Sequence, residues 1–323
     1  MDAGALGEAG TVLADGGIET AIAYGTDYRL PELQTIGMLD DPAGRRVLTE
    51  LWTGYLRVAE RHRLPIVVGT PTWRGGPDRL RAAGRPDHDL ERLNREGLLF
   101  QRQLVADLEM AASACVAGVL APRRDGYDPT DAPGVDEAAG YHAGQAAALA
   151  GADLLFAVPL PAAAEALGIC RAMAATGTPY VPSFLVDPAG RLPDGTPLAE
   201  VVDRIDRTVD PAPLHYSVSC VHPAVALAGH RAGLGGATGT ATAGGKWGRV
   251  RELKANGSSL PPAVLDKLTH LVCDPPEEWA DAMVTARDAL GLLVVGGCCG
   301  TGASHLDALA DRLAGSPAAG PAA

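Results

Sequence analysis

The chain has 323 residues, 47% of them hydrophobic and only 4% aromatic, enough apolar material for one large core or two ordinary ones. Its formal net charge of −12 argues against a nucleic-acid or anionic-membrane partner, since both select basic surfaces. No window approaches a membrane span, and the first eight residues carry neither the basic region nor the apolar block of a signal peptide. Six cysteines, two of them adjacent, do not resemble a disulfide framework, so a cytoplasmic location is expected, with some thiols kept as metal ligands.

Strand-like apolar runs alternate with longer helix-like segments along the chain, the pattern of α/β units with parallel strands. Residues 11–14 read as a first strand, ended by Asp15-Gly16-Gly17, and a polar loop with Tyr24, Tyr28 and Pro31 follows. Pro42 opens a helix whose apolar positions Val47, Leu48, Leu51, Tyr55 and Val58 recur at helical spacing. The second strand is 65–69, with Thr72-Trp73-Arg74 beyond its end, and a helix follows over about 89–114. The third strand, 116–120, leads into a polar loop at 123–133 that is long enough to fold over a site.

The plan repeats with a helix at 135–150, a fourth strand at 152–158, a helix at 161–175 and a fifth strand at 179–185. Turn chemistry of hairpin type at 187–195 precedes a helix at 198–207 and a sixth strand at 214–219. A short helix starts at His222, and the glycine-rich stretch 229–245 has no clear element. The seventh strand is 250–256, helices follow at 262–270 and 275–290, and the eighth strand is 292–295, ending at two glycines. Eight strand–helix units in this length predict a single (β/α)8 TIM barrel domain over 11–313, with a Gly/Ala/Pro-rich disordered tail at 314–323. A doubly wound open sheet is the alternative, but no Gly-x-Gly-x-x-Gly follows the first strand.

The cysteines sharpen this reading. Cys298 and Cys299 are adjacent at a strand end, which suits two thiolates on one soft metal better than a bridge between neighbours. Cys220, also at a strand end leading into a helix, is the candidate third ligand. In a barrel the active site lies at the C-terminal strand ends, which would bring all three together as a zinc site there. Three thiolates with no evident fourth ligand describe an open Zn2+ site of formal charge about −1. Such a metal activates water poorly but can hold a substrate thiol as thiolate, which suits alkyl transfer to sulfur. Cys115, Cys170 and Cys273 fall in apolar or mixed stretches read as helical, and are expected to be ordinary buried or half-buried thiols.

The runs Gly296-Gly297-Cys298-Cys299-Gly300-Thr301 and Ser219-Cys220-Val221-His222-Pro223, with Asp15-Gly16-Gly17, resemble the homocysteine S-methyltransferase family. This is the zinc-dependent group that includes betaine–homocysteine and S-methylmethionine–homocysteine methyltransferases. The likeness spans nearly the whole chain. It implies Cys220, Cys298 and Cys299 as catalytic zinc ligands, and Asp15 with the backbone at Gly16 as the grip on the amino-acid substrate. It further implies methyl transfer from an onium donor to a zinc-bound thiol such as homocysteine, giving methionine.

Two departures from the family stand out. Ser219 replaces the usual Asn, and Phe156-Ala157-Val158-Pro159 stands where many members carry Glu-Thr-Ile-Pro, whose Glu helps bind the homocysteine amino group. Glu19 is the candidate replacement carboxylate. Another thiol or selenol acceptor, or a non-catalytic zinc-binding relative, therefore stays open beside homocysteine. Thr72, Trp73 and Arg74 are candidate substrate contacts: Trp73 as an aromatic wall for a cationic donor, Arg74 as a partner for a substrate carboxylate. Trp247 is a second candidate wall, whereas His222 and His305 read as capping or structural histidines. The expected partners are thus a small thiol and a methyl donor, with no nucleic acid and no membrane; the sequence leaves a homo-oligomer open.

Overall fold

Eight short runs, nearly all of them buried residues, form the strands β1 (Val12–Ala14), β2 (Ile66–Gly69), β3 (Ala114–Leu120), β4 (Leu154–Leu160), β5 (Tyr180–Phe184), β6 (Tyr216–Ser219), β7 (Val250–Ala255) and β8 (Val294–Gly297). A computed structural model describes residues 1–234, 245–265 and 268–315. Among these residues the strands close into one parallel barrel in chain order, with β8 pairing β1 through Val12–Val294, Leu13–Val295 and Ala14–Gly296. Burial on both faces is why the strands read as continuous apolar runs rather than alternating ones.

The inner face carries a small cluster, including Val12, Val67, Cys115, Leu154, Val181 and Val294. Ala3 and Leu6, from the short helix Ala3–Gly7, join it and plug the N-terminal end of the barrel. The larger core lies between strands and helices. The helix Pro42–His62 shows how the sequence builds that layer. Asp41 caps it by accepting from the N–H groups of Ala43 and Gly44, at 3.0 and 3.2 Å, and Pro42 fills its first turn. Its buried stripe, Leu48, Trp52, Tyr55, Leu56 and Ala59, faces the barrel.

Several boundaries differ from the sequence expectation. The helix expected to reach 114 ends at Asp107, because Glu109 turns left-handed (φ 58°) and Ile66 N–H claims the Ser113 carbonyl at 2.9 Å, drawing the chain into β3. Cys115 therefore lies on a strand, and Cys273 is exposed outside any helix; Cys170 is helical and buried. The helix expected over 262–270 is described only as Pro262–Leu265. Short helices at Glu19–Gly25 and Pro77–Ala82 occupy segments read as loop or left unassigned. Strand eight does not stop at the glycines but includes them: Gly296 pairs with Ala14 and Lys254, and Gly297 with Ala255. Most of the glycine-rich stretch, and the tail beyond 315, lie outside the described residues. No described helix is long and apolar enough to cross a membrane.

Candidate active site

A cavity of about 360 Å³ opens at the C-terminal strand ends. Its floor begins with Asp15, just past β1. Asp15 Oδ2 accepts from Trp52 Nε1 at 2.9 Å and from Gly69 N–H at 2.8 Å, while Oδ1 takes the ammonium of Lys254 on β7. The next residues have no room for side chains. A Cβ on Gly16 would stand 2.8 Å from the Tyr55 hydroxyl, and one on Gly17 would stand 2.5 Å from the Cys298 carbonyl oxygen. Tyr55 donates to Gly17 O at 2.7 Å, so the helix Pro42–His62 holds this loop with both its buried aromatics.

The three cysteines arrive from two neighbouring regions of the rim. Cys220 ends β6 in the left-handed conformation (φ 58°), costly for a residue with a Cβ at about 1–2 kcal/mol. Its N–H donates to Lys254 O at 3.1 Å, and its carbonyl accepts from Asn256 Nδ2 at 2.9 Å, which holds it there. The Cys220 and Cys298 Sγ atoms are 3.0 Å apart. Hydrogen bonds from Cys220 and then Cys299, helped by the Lys254 charge, hold Cys298 well below the usual thiol range. Cys220 is pushed up by its bonds to Cys298 and Cys299 and by burial. Cys299 rises despite its bond with Cys220, because Cys298 and burial outweigh it.

No three metal-binding side chains stand together as a ready cage among the described residues. Two thiolates on one tetrahedral zinc at about 2.3 Å each stand roughly 3.8 Å apart, so the Cys220–Cys298 pair needs to open by less than ~1 Å. The donor chemistry fits: three soft sulfurs share one pocket, and one of them is held well below the usual thiol range.

Of the other expected residues, Gly16, Glu19, Trp73 and Arg74 line the cavity with Asp15. Thr72 stands behind it, fully buried, its hydroxyl donating to Val119 O at 2.7 Å; Thr70 lines the cavity instead. Trp73 donates from Nε1 to Val158 O at 2.7 Å, and the Arg74 guanidinium lies over its ring at 4.7 Å. One face of that indole is thus already covered by a cation. Trp247 packs against His230 away from the cavity, which removes it as a wall. His222 accepts from Ala224 N–H and pairs with Asp274, and His305 Nδ1 accepts from Gly302 N–H, both local structural roles.

Sequence reasoning passed over Lys254, Tyr127 and Asp125. The last two come from the loop after β3, which does fold over the site, and burial beside the cysteines pushes the Tyr127 hydroxyl well above the usual tyrosine range. Arg251, Glu252 and Lys254 make this a polar strand, and its charge alone does not single out Lys254.

Glu19 opens the helix Glu19–Gly25, and burial of its carboxyl pushes the pKa from 4.5 up to about 7, with the Cys298 and Asp15 charges adding. The unfolded chain ionises this group at its ordinary value while the folded chain keeps the proton. Its ionisation therefore erodes stability as pH rises from 4.5 to about 7, and the full penalty applies above that. Glu19→Gln is expected to raise the melting temperature over the parent at about pH 8, by an amount on the order of 1–3 kcal/mol in stability, and to do little near pH 4. Equal shifts at both pH values would show that the carboxyl is not buried as described.

Residues 12–313 match the family model described as homocysteine S-methyltransferase. Among solved structures, the chain is similar to the homocysteine methyltransferase MmuM from Escherichia coli. In the metallated form the TM-score is 0.74 at 21% identity, covering 96% of this chain and 99% of that one. The oxidized form gives 0.73 at 21% identity, with 94% and 96% covered. That likeness extends to the barrel fold. No curated protein matches the chain in sequence.

Proposed function

Because the chain belongs to the homocysteine S-methyltransferase family, it is an S-methyltransferase, and we propose that it moves a methyl group from an onium donor to a small thiol such as homocysteine. Cys220, Cys298 and Cys299 would hold zinc. When bound, that ion would accept the acceptor sulfur and keep it deprotonated near neutral pH. The observation that carries this reading is the meeting of Cys220 and Cys298, from β6 and β8, at 3.0 Å in the wall of the barrel-mouth cavity.

The chain's own residues would then position the reactants. Phe156, Val158, Tyr127 and Trp73 wall the cavity with largely apolar surface and exclude water from the reacting sulfur and methyl carbon. Asp125 lies along the wall, and Glu19 gains negative charge there as pH rises past about 7, suited to a sulfonium or quaternary ammonium donor. Two substrates held against one face can approach in line, and that orientation is the main contribution rigid strand ends can make.

The test is direct. Zinc-loaded protein given homocysteine and a panel of sulfonium and betaine-type donors is expected to form methionine from at least one of them. Removing zinc with a chelator should abolish turnover and lower the melting temperature, since a ligand bound only by the folded state stabilises it. A zinc-loaded protein that methylates no thiol with any donor would sink this reading.

A further inference from the structure

The loop after β3 reaches the cavity through Asp125 and Tyr127, and what holds its root lies outside the site, in the helix layer. The Arg123 N–H donates to Glu165 Oε1 at 2.6 Å. Glu165 stands in the first turn of the helix Ala163–Ala174 and is 1% exposed. A carboxylate oxygen accepts, so His142 Nε2, at 3.1 Å on the neighbouring helix Val135–Ala148, donates to the same oxygen. His142 is wholly buried, and its Nδ1 has no partner among the described residues. The two helices have no room to slide: a Cβ on Gly168 would stand 2.4 Å from Ala138 Cβ and from the Val135 carbonyl oxygen. Farther along the loop, Gly126 lies on the end of β4, where an added Cβ would stand 2.7 Å from Pro159 Cγ. The Arg123 guanidinium adds bonds to Asp78 and Glu137, but both pairs are partly exposed to water, where they contribute little.

We propose that Glu165 is a positioning residue for methyl transfer: through the Arg123 N–H it fixes the loop that lays Tyr127 and Asp125 on the cavity. A carboxylate and a histidine taken out of water cost hydration that two packed helices do not require, since apolar side chains of the same volume would join them as well. What an apolar pair could not do is receive a backbone N–H that would otherwise be short of a partner. Tyr127 follows Arg123 by only four positions, and Gly126 between them is seated on Pro159, so the fixed root leaves the tyrosine little freedom. Glu165 is outside the cavity lining and therefore acts only through the loop. The assignment rests on the S-methyltransferase reading and adds to it a residue that works at a distance.

The experiment compares zinc-loaded parent with Glu165→Met, which keeps the volume but cannot receive the N–H, and with Glu165→Gln, whose amide oxygen can. Native digestion with trypsin, which cuts after Arg123 and Arg124, reads the placement of the loop without turnover. Glu165→Met is expected to be cut there on the order of 10-fold faster than the parent with zinc content unchanged, and Glu165→Gln to stay within about 3-fold. With homocysteine as acceptor and S-methylmethionine or glycine betaine as donor, kcat/KM should fall on the order of 10–100-fold in Glu165→Met and recover in Glu165→Gln. In a background carrying Asp125→Ala and Tyr127→Ala, Glu165→Met should cost less than about 3-fold, because the groups it positions are gone. A merely structural carboxylate would lower activity equally in both backgrounds and open the chain to trypsin at many sites. The proposal falls on that result, or if Glu165→Met keeps the parent's cleavage pattern and kcat/KM. Should Glu165→Met not fold, Glu165→Asp, whose shorter side chain withdraws the oxygen from Arg123, is read in its place. Parent protein that makes no product with any donor overturns the methyltransferase reading, and the tryptic pattern then still decides whether Glu165 holds the loop.

Discussion

Cys298→Ala is expected to lose bound zinc and methyl transfer together. Cys298 is the sulfur most readily ionised, held by hydrogen bonds from Cys220 and Cys299 and by the Lys254 charge. Removing it leaves only two thiols, both buried and without the sulfur that ionises first, a poor pair for a divalent ion. The measurements are zinc content after dialysis against a weak chelator and methyl product from homocysteine. Activity should fall to background and zinc occupancy close to zero. Cys273→Ser, at an exposed thiol outside the cavity lining, should retain both. Full zinc occupancy in Cys298→Ala would remove that residue from the ligand set, and the proposed chemistry would need another sulfur.

Gly296→Ala should be nearly as damaging, for a steric reason. An added Cβ would stand 2.4 Å from the Ala14 carbonyl oxygen and 2.7 Å from Ala14 C and Cβ, in the seam where β8 pairs β1. The obstacle is backbone, so no side-chain rotation relieves it. Forcing the strands apart costs roughly 1–3 kcal/mol or more, and it moves the two loops that carry Asp15 and Cys298. Denaturant unfolding should show the loss, and methyl transfer should fall further than stability alone explains. Gly134→Ala, where an added Cβ meets nothing within 4 Å, is the matched control and should stay close to the parent. Parent-like stability and activity in Gly296→Ala would mean that the β1–β8 seam is looser than described.

The same seam shows why the sequence was read correctly in kind and wrongly in detail. Two glycines after an apolar run are usually a stop, and that is how residues 296–297 read. They belong to the strand, and their lack of a side chain serves close packing: Gly296 lies against the backbone of Ala14, almost three hundred residues earlier in the chain, and Gly297 against Thr301 and Gly16. The helix ending at Asp107 rather than 114 has the same origin: the competing claim on Ser113 comes from Ile66 on β2.

By itself, the sequence determined the barrel and the three sulfurs. Apolar strand runs spaced by helices repeat often enough to close a parallel sheet. Adjacent cysteines at one strand end, with a third at another, can be recognised without knowing their neighbours. Only the tertiary structure decided what surrounds those sulfurs. Lys254 reads locally as one polar residue on a strand, yet it neutralises Asp15; Thr72 reads as a loop residue facing the site, yet it is buried behind it; Trp73 reads as an open aromatic wall, yet Arg74 covers one face. The physical reason is that periodicity reports which face of an element is apolar, whereas charge pairing and side-chain direction at a barrel rim depend on loops and strands that meet only when the sheet closes.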